Sequence, residues 1–524
     1  MAFLWITETI PMAVTALIPV VLYPVFSVMK SEEICKEYLS DTNFVFFGSM
    51  LMAIGVETTK LHERVALRIL MTTGSNSRWL LLGFQIATAF ISMWISNTAT
   101  TALVLPMALL LLGFQIATAF ISMWISNTAT TALVLPMALS VICELDYCRR
   151  RQENPSEIII KRPIGDINFE KIPSHDRNLY KALLLSICFG SSIGGTGTIV
   201  GTGPNLIMKN FVDKNNYGKV TFANWMIFAV PSMIFMLIFL WCWLQVLLIG
   251  FRRKTGEEQF DQMVSKVIKE KYDLLGPVKF SEKLIGVLFS IQVFLWFFRK
   301  PQIFPGWGDF FPDKYVTDAT VAMSVSILLF VLPSKNPFDD KSGGKDFEPI
   351  VTWRDMHERF SWGTILLLGG GIAMAKGVEK SGLSDIMGEY LSSFSAMPEW
   401  AFILVACFLV TALTEFSSNI ATASIFIPLV ASVAKEHGTN ALLYILPTTL
   451  SCSYAFALPA GTPPNAIVFS AGILKITDLL KAGLVLNVFG YMMVFLITHS
   501  YAPLIFNFQS LSLSDVYHEN ITVI

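Results

Sequence analysis

Long apolar runs separated by short polar segments make up most of the chain. Nine of these runs approach or exceed the roughly 20 residues that a helix needs to cross a bilayer, which predicts an all-α polytopic membrane protein. Two further apolar stretches, Leu80–Leu139 and Ala401–Ser432, are interrupted near the centre by a Ser-Asn cluster, where an amide side chain is costly inside a membrane. The crossing helices are predicted near Ile10–Val28, Asn43–Glu57, Lys181–Val212, Phe222–Gly250, Leu284–Phe298, Asp318–Leu332, Trp362–Val378, Ala441–Phe469 and Ala482–Phe506.

The composition agrees with a protein embedded in lipid. Of the 524 residues, 53% are hydrophobic and only 15% are charged, which is more apolar surface than one soluble core can bury. The net charge of -1 includes no basic excess, so nucleic-acid binding is not indicated. The seven cysteines form no CxxC pair and the six histidines no HExxH pattern. We therefore expect no disulfide framework and no metal other than a transported cation.

Basic residues define an orientation. They concentrate in Cys148–Arg162 and Arg252–Lys271, and the positive-inside rule predicts that both loops are cytoplasmic. If Ala401–Ser432 is a re-entrant hairpin that returns to its own side, the C-terminal tail emerges outside the cell. That tail carries the sequon Asn520-Ile521-Thr522, so we expect glycosylation at Asn520 and a multi-pass protein of the plasma membrane.

Three motifs occur twice in the same order, as in transporters that are built from internal repeats. In both halves a proline follows the motif asparagine by the same interval, Asn127 to Pro136 and Asn419 to Pro428. The pattern predicts two related halves, each with a hairpin and a broken helix. The motifs are Gly55-Val56-Glu57, Ser-Asn-Thr-Ala-Thr and Gly201-Thr202-Gly203-Pro204-Asn205 in the first half, and Gly377-Val378-Glu379, Ser418-Asn419-Ile420-Ala421-Thr422 and Gly461-Thr462-Pro463-Pro464-Asn465 in the second.

A second repetition is of another kind, because residues 80–109 and 110–139 are identical. The interval from Glu57 to Asn97 equals that from Glu379 to Asn419, whereas Asn127 lies farther away, which indicates a late insertion. Two interpretations stay open. In the first, a duplicated exon or a gene-model error adds a surplus copy. In the second, the duplicated chain is a real product, and the extra hairpin is accommodated because a re-entrant unit begins and ends on the same side of the membrane. The sequence does not rank the Ser-Asn-Thr motif at 96–98 against that at 126–128.

The motif residues suit the binding of an anion and a cation. A Ser-Asn-Thr cluster at a hairpin tip exposes hydroxyls, an amide and N–H groups at helix starts, where the helix dipole favours a carboxylate. Glycine and proline in Gly-Thr-x-Pro-Asn break a helix and free carbonyl oxygens for Na⁺. Either motif alone is equally well explained as helix–helix packing or a kink, but their recurrence in matching order favours two half-sites, each made of one Ser-Asn motif and one Gly-Thr-x-Pro-Asn motif. Lys376 and Glu415 are ionisable groups in apolar surroundings, for which a functional role, snorkelling and pairing are all open.

These motifs resemble the divalent anion:sodium symporter family, in particular its sodium/dicarboxylate and sodium/citrate cotransporter branch. The resemblance covers nearly the whole chain, and Gly-Thr-Gly-Pro-Asn is more similar to the carboxylate branch than to the sulfate branch. It implies a homodimeric, inverted-repeat elevator-type transporter with two re-entrant hairpins and two broken helices, which couples inward Na⁺ movement to citrate, succinate or related anions. The matching stretches are Met93–Thr100, Gly194–Asn205, Val316–Ala322, Leu366–Gly371 and Thr462–Phe469.

The resemblance also implies roles for individual residues. Those implied to bind substrate carboxylates are Ser126, Asn127 and Thr128, or their copies Ser96, Asn97 and Thr98, together with Ser418 and Asn419. Those implied to help bind Na⁺, the coupling ion, are Thr202, Gly203, Asn205, Thr462 and Asn465. No catalytic residue is implied.

The same resemblance implies a domain plan and marks three departures. Met1 aligns with the middle of the family's second helix, Ile420 stands where valine or threonine is usual, and the duplicated hairpin has no family counterpart. The implied segments are scaffold helices of the first repeat in 1–57, its transport portion in 58–250 with the duplicated hairpin 80–109/110–139 and a cytoplasmic loop 140–178, a cytoplasmic linker in 251–283, scaffold helices of the second repeat in 284–378, its transport portion in 379–507 with the hairpin 401–432, and an extracellular tail in 508–524.

Several functions are consistent with these observations. Sodium-coupled symport of di- and tricarboxylates by alternating access leads. A sodium-independent anion exchanger or a sulfate transporter of the same fold, and an inactive or sensor-type membrane protein, stay open. A membrane-embedded enzyme would need a nucleophile and base or a metal pair within the spans, and we expect none.

Overall fold

The computed structural model describes most of the apolar runs as helices. The described residues contain no strand, only an isolated β-bridge between Pro333 and Pro349, so the prediction of an all-α chain is confirmed. Residues 80–104 of the first hairpin copy, and Asn520, lie outside the described part. The described residues are 4, 9–74, 105–153, 172–249, 269, 272–300, 305–312, 315–337, 348–360, 362–382, 397–459, 461–506 and 508.

The first half of the chain contributes ten described helices. Several begin at side-chain caps: Ser40 accepts a hydrogen bond from the N–H of Asn43, and Thr221 and Asn224 cap each other's backbone reciprocally. The helices are α1 (Met12–Thr15), α2 (Ile18–Val25), α3 (Ser31–Tyr38), α4 (Asp41–Thr59), α5 (Leu61–Gly74), α6 (Leu105–Ser122), α7 (Asn127–Glu153), α8 (Ser174–Gly195), α9 (Gly203–Asn215) and α10 (Phe222–Leu244), the last continuing as a π-helix over Gln245–Ile249.

The second half contributes ten more among the described residues. Thr317 and Thr352 cap α12 and α13 in the same reciprocal way as Thr221. The helices are α11 (Phe280–Phe297), α12 (Asp318–Val331), α13 (Trp353–Arg359), α14 (Trp362–Lys380), α15 (Glu399–Thr414), α16 (Asn419–Glu436), α17 (Leu442–Ser451), α18 (Pro463–Phe469), α19 (Ile476–Ser500) and α20 (Ala502–Phe506), with a 3₁₀ turn at Trp307–Phe310.

The predicted crossing helices fall into two groups. Four segments are long and apolar enough to cross a membrane by length and composition: Ser31–Thr59, Phe222–Leu248, Phe280–Phe297 and Ile476–Ser500. Of the other runs, Asp318–Leu332 and Trp362–Val378 form the single helices α12 and α14. The run Ile10–Val28 is interrupted and forms the short helices α1 and α2, with Pro19 at the start of α2 and Pro24 inside it. A cytoplasmic loop was expected at 140–178. Helix α7 continues to Glu153 and α8 begins at Ser174, so both ends of this segment are helical.

The two halves interlock at their broken helices. α9, the second part of the first broken helix, packs on α16 and α17 of the second half. α18, the second part of the other broken helix, packs on α7 and α8 of the first half. The polar motifs of one half are therefore placed against the helices of the other.

Candidate functional site

Both Ser-Asn motifs lie where a tight turn leads into a helix. Residues 123–126 separate α6 from α7, which begins at Asn127, and residues 415–418 separate α15 from α16, which begins at Asn419. The first-turn bonds match, since the N–H groups of Thr130 and Thr422 donate to the carbonyls of Ser126 and Ser418 at 2.9 Å each. Thr128 is exposed, and Ser126, Asn127, Ser418 and Asn419 are half-buried. The predicted motif residues thus sit at two helix starts, where N–H groups lack partners within the helix.

A hydroxyl five residues earlier fixes each motif asparagine. Ser122 Oγ lies 2.7 Å from Asn127 Oδ1 and 2.7 Å from the carbonyl oxygen of Ser191. Thr414 Oγ1 lies 2.9 Å from Asn419 Oδ1 and 2.8 Å from the carbonyl oxygen of Cys452. A hydroxyl can donate only one hydrogen bond, and here it donates to the carbonyl oxygen. The second contact is also a hydrogen bond when the asparagine amide is rotated so that its N–H₂ group donates to the hydroxyl. Each hydroxyl therefore ties a hairpin tip to a broken helix.

Ser122 and Thr414 were missed in the sequence, although a signal for them exists. When the halves are superposed on their motif asparagines, a hydroxyl residue stands five places upstream in both. A search for identical residues misses this match, because the residue is serine in one half and threonine in the other. Ser191, whose Oγ also donates to the carbonyl of Asn127 at 2.7 Å, has no such pattern.

The two helix breaks have closely similar backbone geometry. α8 ends at Gly195 and α9 begins at Gly203, while α17 ends at Ser451 and α18 begins at Pro463. Thr202 and Thr462 precede the new helices with φ/ψ of -148/150° and -144/148°, and neither hydroxyl caps its helix. The predicted helix breaks at Gly-Thr-x-Pro-Asn are present in both halves.

The asparagine of each Gly-Thr-x-Pro-Asn motif turns back into its own break. Asn205 Nδ2 donates to the carbonyl of Thr198 at 2.7 Å, and Asn465 Nδ2 donates to the carbonyls of Leu458 and Ala455 at 3.0 Å each. The intervals correspond, since Leu458 precedes Asn465 by the same seven residues that separate Thr198 from Asn205. The half-sites are thus alike in their hydrogen bonds as well as in their sequence.

The same two asparagines leave oxygen atoms available. Asn205 and Asn465 are fully buried, and Oδ1 of each has no hydrogen-bond partner among the described residues. The buried hydroxyl oxygen of Thr462 is likewise unpartnered within the described residues. Buried oxygens without donors are suited to a hard cation such as Na⁺.

Three glycines allow the closest approaches in the site. A Cβ on Gly195 would lie 2.2 Å from Asn127 Oδ1, and one on Gly201 would lie 2.3 Å from the carbonyl oxygen of Gly195. A Cβ on Gly203 would lie 2.3 Å from Ile420 Cγ1, so the first break touches the tip of the second half. The two half-sites therefore face each other at contact distance.

The structure shows that Glu415 is paired and does not snorkel, and it places Lys376. The Glu415 carboxylate accepts hydrogen bonds from the N–H groups of residues 456–458 and from Asn487 Nδ2, so it pairs inside the protein. Lys376 lines a small cavity between α9 and α14 together with Asn210 and Lys214. Through its bonds with residues 456–458, Glu415 touches the second half-site.

One pattern bears on the enzyme alternative. Residues 190–194 read Gly-Ser-Ser-Ile-Gly, which matches the letters of a Gly-x-Ser-x-Gly hydrolase motif. Ser192, however, lies inside α8 rather than at a strand-to-helix turn, and its buried hydroxyl has no partner among the described residues. The activated nucleophile of such an enzyme needs a base in hydrogen-bond contact, so this serine lacks the required geometry.

The described copy of the duplicated hairpin is the one that builds the first half-site. Ser126, Asn127 and Thr128 occupy the tip described above, whereas Ser96, Asn97 and Thr98 lie outside the described residues. All five residues predicted to bind sodium (Thr202, Gly203, Asn205, Thr462 and Asn465) lie at the two helix breaks.

Comparisons with known proteins find relatives along nearly the whole chain. The sequence profile of the family described as "Sodium:sulfate symporter transmembrane region" matches residues 105–508, and that of the family described as "Citrate transporter" matches residues 2–113. The Na(+)/citrate cotransporter of Rattus norvegicus is 38% identical over 97% of this chain and 90% of its own length. The Na(+)/dicarboxylate cotransporter 3 of Homo sapiens is 36% identical over 100% of this chain and 90% of its own length.

A third relative, solute carrier family 13 member 2 of Rattus norvegicus, is 41% identical over 97% of this chain and 88% of its own length. The relatives thus match both the region that holds the two half-sites and the helices around it. Together with the long apolar helices, these matches identify a multi-pass membrane protein that belongs to the sodium:sulfate symporter family.

Proposed function

We propose that this protein is a sodium-coupled symporter of di- and tricarboxylates such as succinate and citrate. The observation that carries the proposal is the duplicated half-site, in which the same hydrogen bonds recur in both halves and the two sets face each other across the contact of Gly203 with Ile420. Its relatives are named as Na(+)/citrate and Na(+)/dicarboxylate cotransporters.

The hairpin tips are proposed to bind the substrate carboxylates. Ser126, Asn127 and Thr128 on one side and Ser418 and Asn419 on the other offer hydroxyl and amide groups beside the starts of the long helices α7 and α16. Helix starts favour anions, because N–H groups and the positive dipole end point outward there. Two such tips suit an anion with a carboxylate at each end.

The helix breaks are proposed to bind Na⁺. Asn205 and Asn465 supply amide oxygens, Thr202 and Thr462 supply hydroxyls, and the unwound backbone near Gly203 supplies carbonyls. Because each break is tied to a hairpin tip through the hydroxyl of Ser122 or Thr414, a cation and a carboxylate bound to one half-site would lie close together. Attraction between opposite charges in a water-poor site strengthens the binding of both.

Transport is proposed to follow an alternating-access elevator mechanism. In this proposal the hairpins α6–α7 and α15–α16 are re-entrant, and the two half-sites move together as one transport domain against scaffold helices. The proposed domain plan is the one expected from the sequence, with a homodimer in the plasma membrane, an extracellular C-terminus and glycosylation at Asn520.

Uptake measurements test this proposal directly. Cells that express the chain are given labelled succinate, citrate or sulfate in sodium medium, and then in medium with choline in place of sodium. We expect uptake of succinate or citrate that is lost in choline. Uptake that persists in choline would favour an anion exchanger, uptake of sulfate alone a sulfate transporter, and no uptake by protein at the surface an inactive or sensor-type protein.

The close approach at Gly195 gives a prediction. In Gly195→Ala the added methyl group would meet Asn127 Oδ1 at 2.2 Å and displace the amide from its hydroxyl partner. We expect uptake to fall at least about tenfold while surface expression is kept.

A matched control for Gly195→Ala is Gly286→Ala, because Gly286 is also a helical glycine but the nearest atom to its added methyl group is 3.8 Å away. The control is expected to transport like the wild type. Equal uptake by the two variants would contradict the role of the Gly195–Asn127 contact.

A further inference from the structure

Glu415 distinguishes the two half-sites. It stands four residues before Asn419, and the residue four places before Asn127 is Met123. The hydroxyl, asparagine and carbonyl partners correspond between the halves, as described above. The carboxylate is therefore an addition to the second half-site.

Hydrogen-bond donors surround the Glu415 carboxylate, which is only 4% exposed. Oε1 accepts from the N–H groups of Phe456 and Ala457 at 2.8 Å each and from Asn487 Nδ2 at 2.5 Å, while Oε2 accepts from the N–H of Leu458 at 2.9 Å. Each of these four contacts is with a donor, which fits an ionised carboxylate, an acceptor only. Such charge-assisted bonds are stronger than bonds between neutral groups.

A single residue, Leu458, links the carboxylate to the proposed cation ligand Asn465. Leu458 donates its N–H to Glu415 and accepts at its carbonyl from Asn465 Nδ2 at 3.0 Å. The carbonyl of Ala455, in the same break, accepts from Asn465 Nδ2 as well. Glu415 therefore fixes the backbone that orients the amide whose oxygen is left unpartnered.

In the first half-site, the helix break is held to the hairpin tip without a charged side chain. There the hydroxyl of Thr198 donates to the carbonyl of Met123 and accepts from the N–H of Gly201 at 3.1 Å. The carbonyl of Thr198 accepts from Asn205 Nδ2, as that of Leu458 accepts from Asn465. The two breaks are thus held to their hairpin tips by different chemistry, a hydroxyl in one and a carboxylate in the other.

We propose that Glu415 is a positioning residue for Na⁺ in the second half-site, where it holds the helix break and adds a negative charge that makes this half-site bind Na⁺ more tightly than the first. The inference rests on the proposed function, since it assumes that the breaks bind Na⁺. Its physical basis is that a fixed charge near a cation in a water-poor site acts more strongly than it would in water.

The test measures sodium binding without transport. The full-length protein is purified in detergent, and its Tm is followed while choline chloride is replaced stepwise by sodium chloride, since a ligand that binds the folded state raises Tm. Wild-type protein is expected to be stabilised by sodium. In Glu415→Gln, the sodium concentration for half-maximal stabilisation is expected to rise about tenfold or more, because a buried charge and its bonds are lost.

Two variants serve as controls. Asp478→Asn neutralises a carboxylate on α19 that pairs with Lys181 at 2.8 Å and accepts from the N–H of Lys475, rather than from the helix break, and its sodium titration is expected to match the wild type. Asn487→Ala removes one donor to Glu415 but no charge, and a shift of less than about threefold is expected.

Each outcome bears on a particular claim. A wild-type sodium titration in folded Glu415→Gln, or an Asn487→Ala shift as large as that of Glu415→Gln, would overturn the inference alone. If Glu415→Gln does not fold, Glu415→Asp is measured instead, because aspartate keeps the charge on a shorter side chain. A weakened sodium response in Glu415→Asp would support the inference, and a wild-type response would overturn it. Absence of sodium stabilisation in the wild type would contradict the proposed sodium binding itself, and this inference with it.

Discussion

Replacing Asn127 by alanine is expected to abolish carboxylate uptake, whereas the same replacement at Asn97 is expected to leave uptake within about twofold of the wild type. The two asparagines stand in identical 30-residue segments. Asn127 contacts Ser122 and Ser191 and lies against Gly195, so the described first half-site is complete with the second copy. Uptake of labelled succinate and citrate, corrected for protein at the surface, measures both variants.

The pair of variants is its own matched control, because sequence context is the same for both. Loss of uptake in Asn97→Ala with normal uptake in Asn127→Ala would reassign the first half-site to the other copy. A chain with a single copy is expected to transport like the full chain, which would show that one copy is enough for the site. Because the copies are adjacent and identical, deletion of residues 80–109 and deletion of residues 110–139 give the same sequence.

A second large effect is expected for Asn419→Ala, which should reduce uptake by roughly 100-fold or to background. The change removes the amide that Thr414 fixes at the start of α16, and with it a proposed contact to the substrate carboxylate. Surface expression should be intact, because Asn419 is half-buried at a helix start rather than inside the core. Uptake in sodium medium, with biotinylation of surface protein, is the measurement.

Asn215→Ala is a suitable control for Asn419→Ala. Asn215 is the last residue of α9, and its Nδ2 donates to the carbonyl of Phe211 at 3.0 Å within the same helix. We expect normal uptake in this control. Normal uptake in Asn419→Ala would remove the second Ser-Asn motif from the substrate site.

The positions of the motifs could be predicted from the sequence because polar and helix-breaking residues are conspicuous inside apolar runs. Asn127 and Asn419 begin helices in the structure, and Gly203 and Pro463 restart them after a break, as the patterns indicated. Their recurrence in the same order also predicted two related halves. These features are local, so spacing along the chain was enough to find them.

Contacts between distant segments were beyond such reasoning. Ser122 reaches the carbonyl of Ser191, and Glu415 reaches the N–H groups of residues 456–458, but neither partner has a recognisable side-chain signal, since backbone groups are present at every residue. The choice between the hairpin copies was also open, because identical sequences have identical propensities. Contacts with Ser191 and Gly195 of a distant segment place Asn127 in the first half-site.

Apolar runs alone also overestimated the continuity of some helices. The run Ile10–Val28 was expected as one crossing helix, but it forms two short helices, the second of which has Pro19 at its start and contains Pro24. By contrast, Asn43–Glu57 was expected as a helix and lies inside α4, which Ser40 caps at its start. Hydropathy located both segments, and proline and capping residues decided how each folds.

The central claim is that two facing half-sites couple sodium to a carboxylate anion, and reconstitution tests it most directly. Purified protein in liposomes is given labelled succinate or citrate with an inward sodium gradient, and then with equal sodium on both sides. We predict accumulation above the external concentration that requires the gradient and collapses when an ionophore dissipates it. Accumulation that is the same without a sodium gradient would contradict the claim.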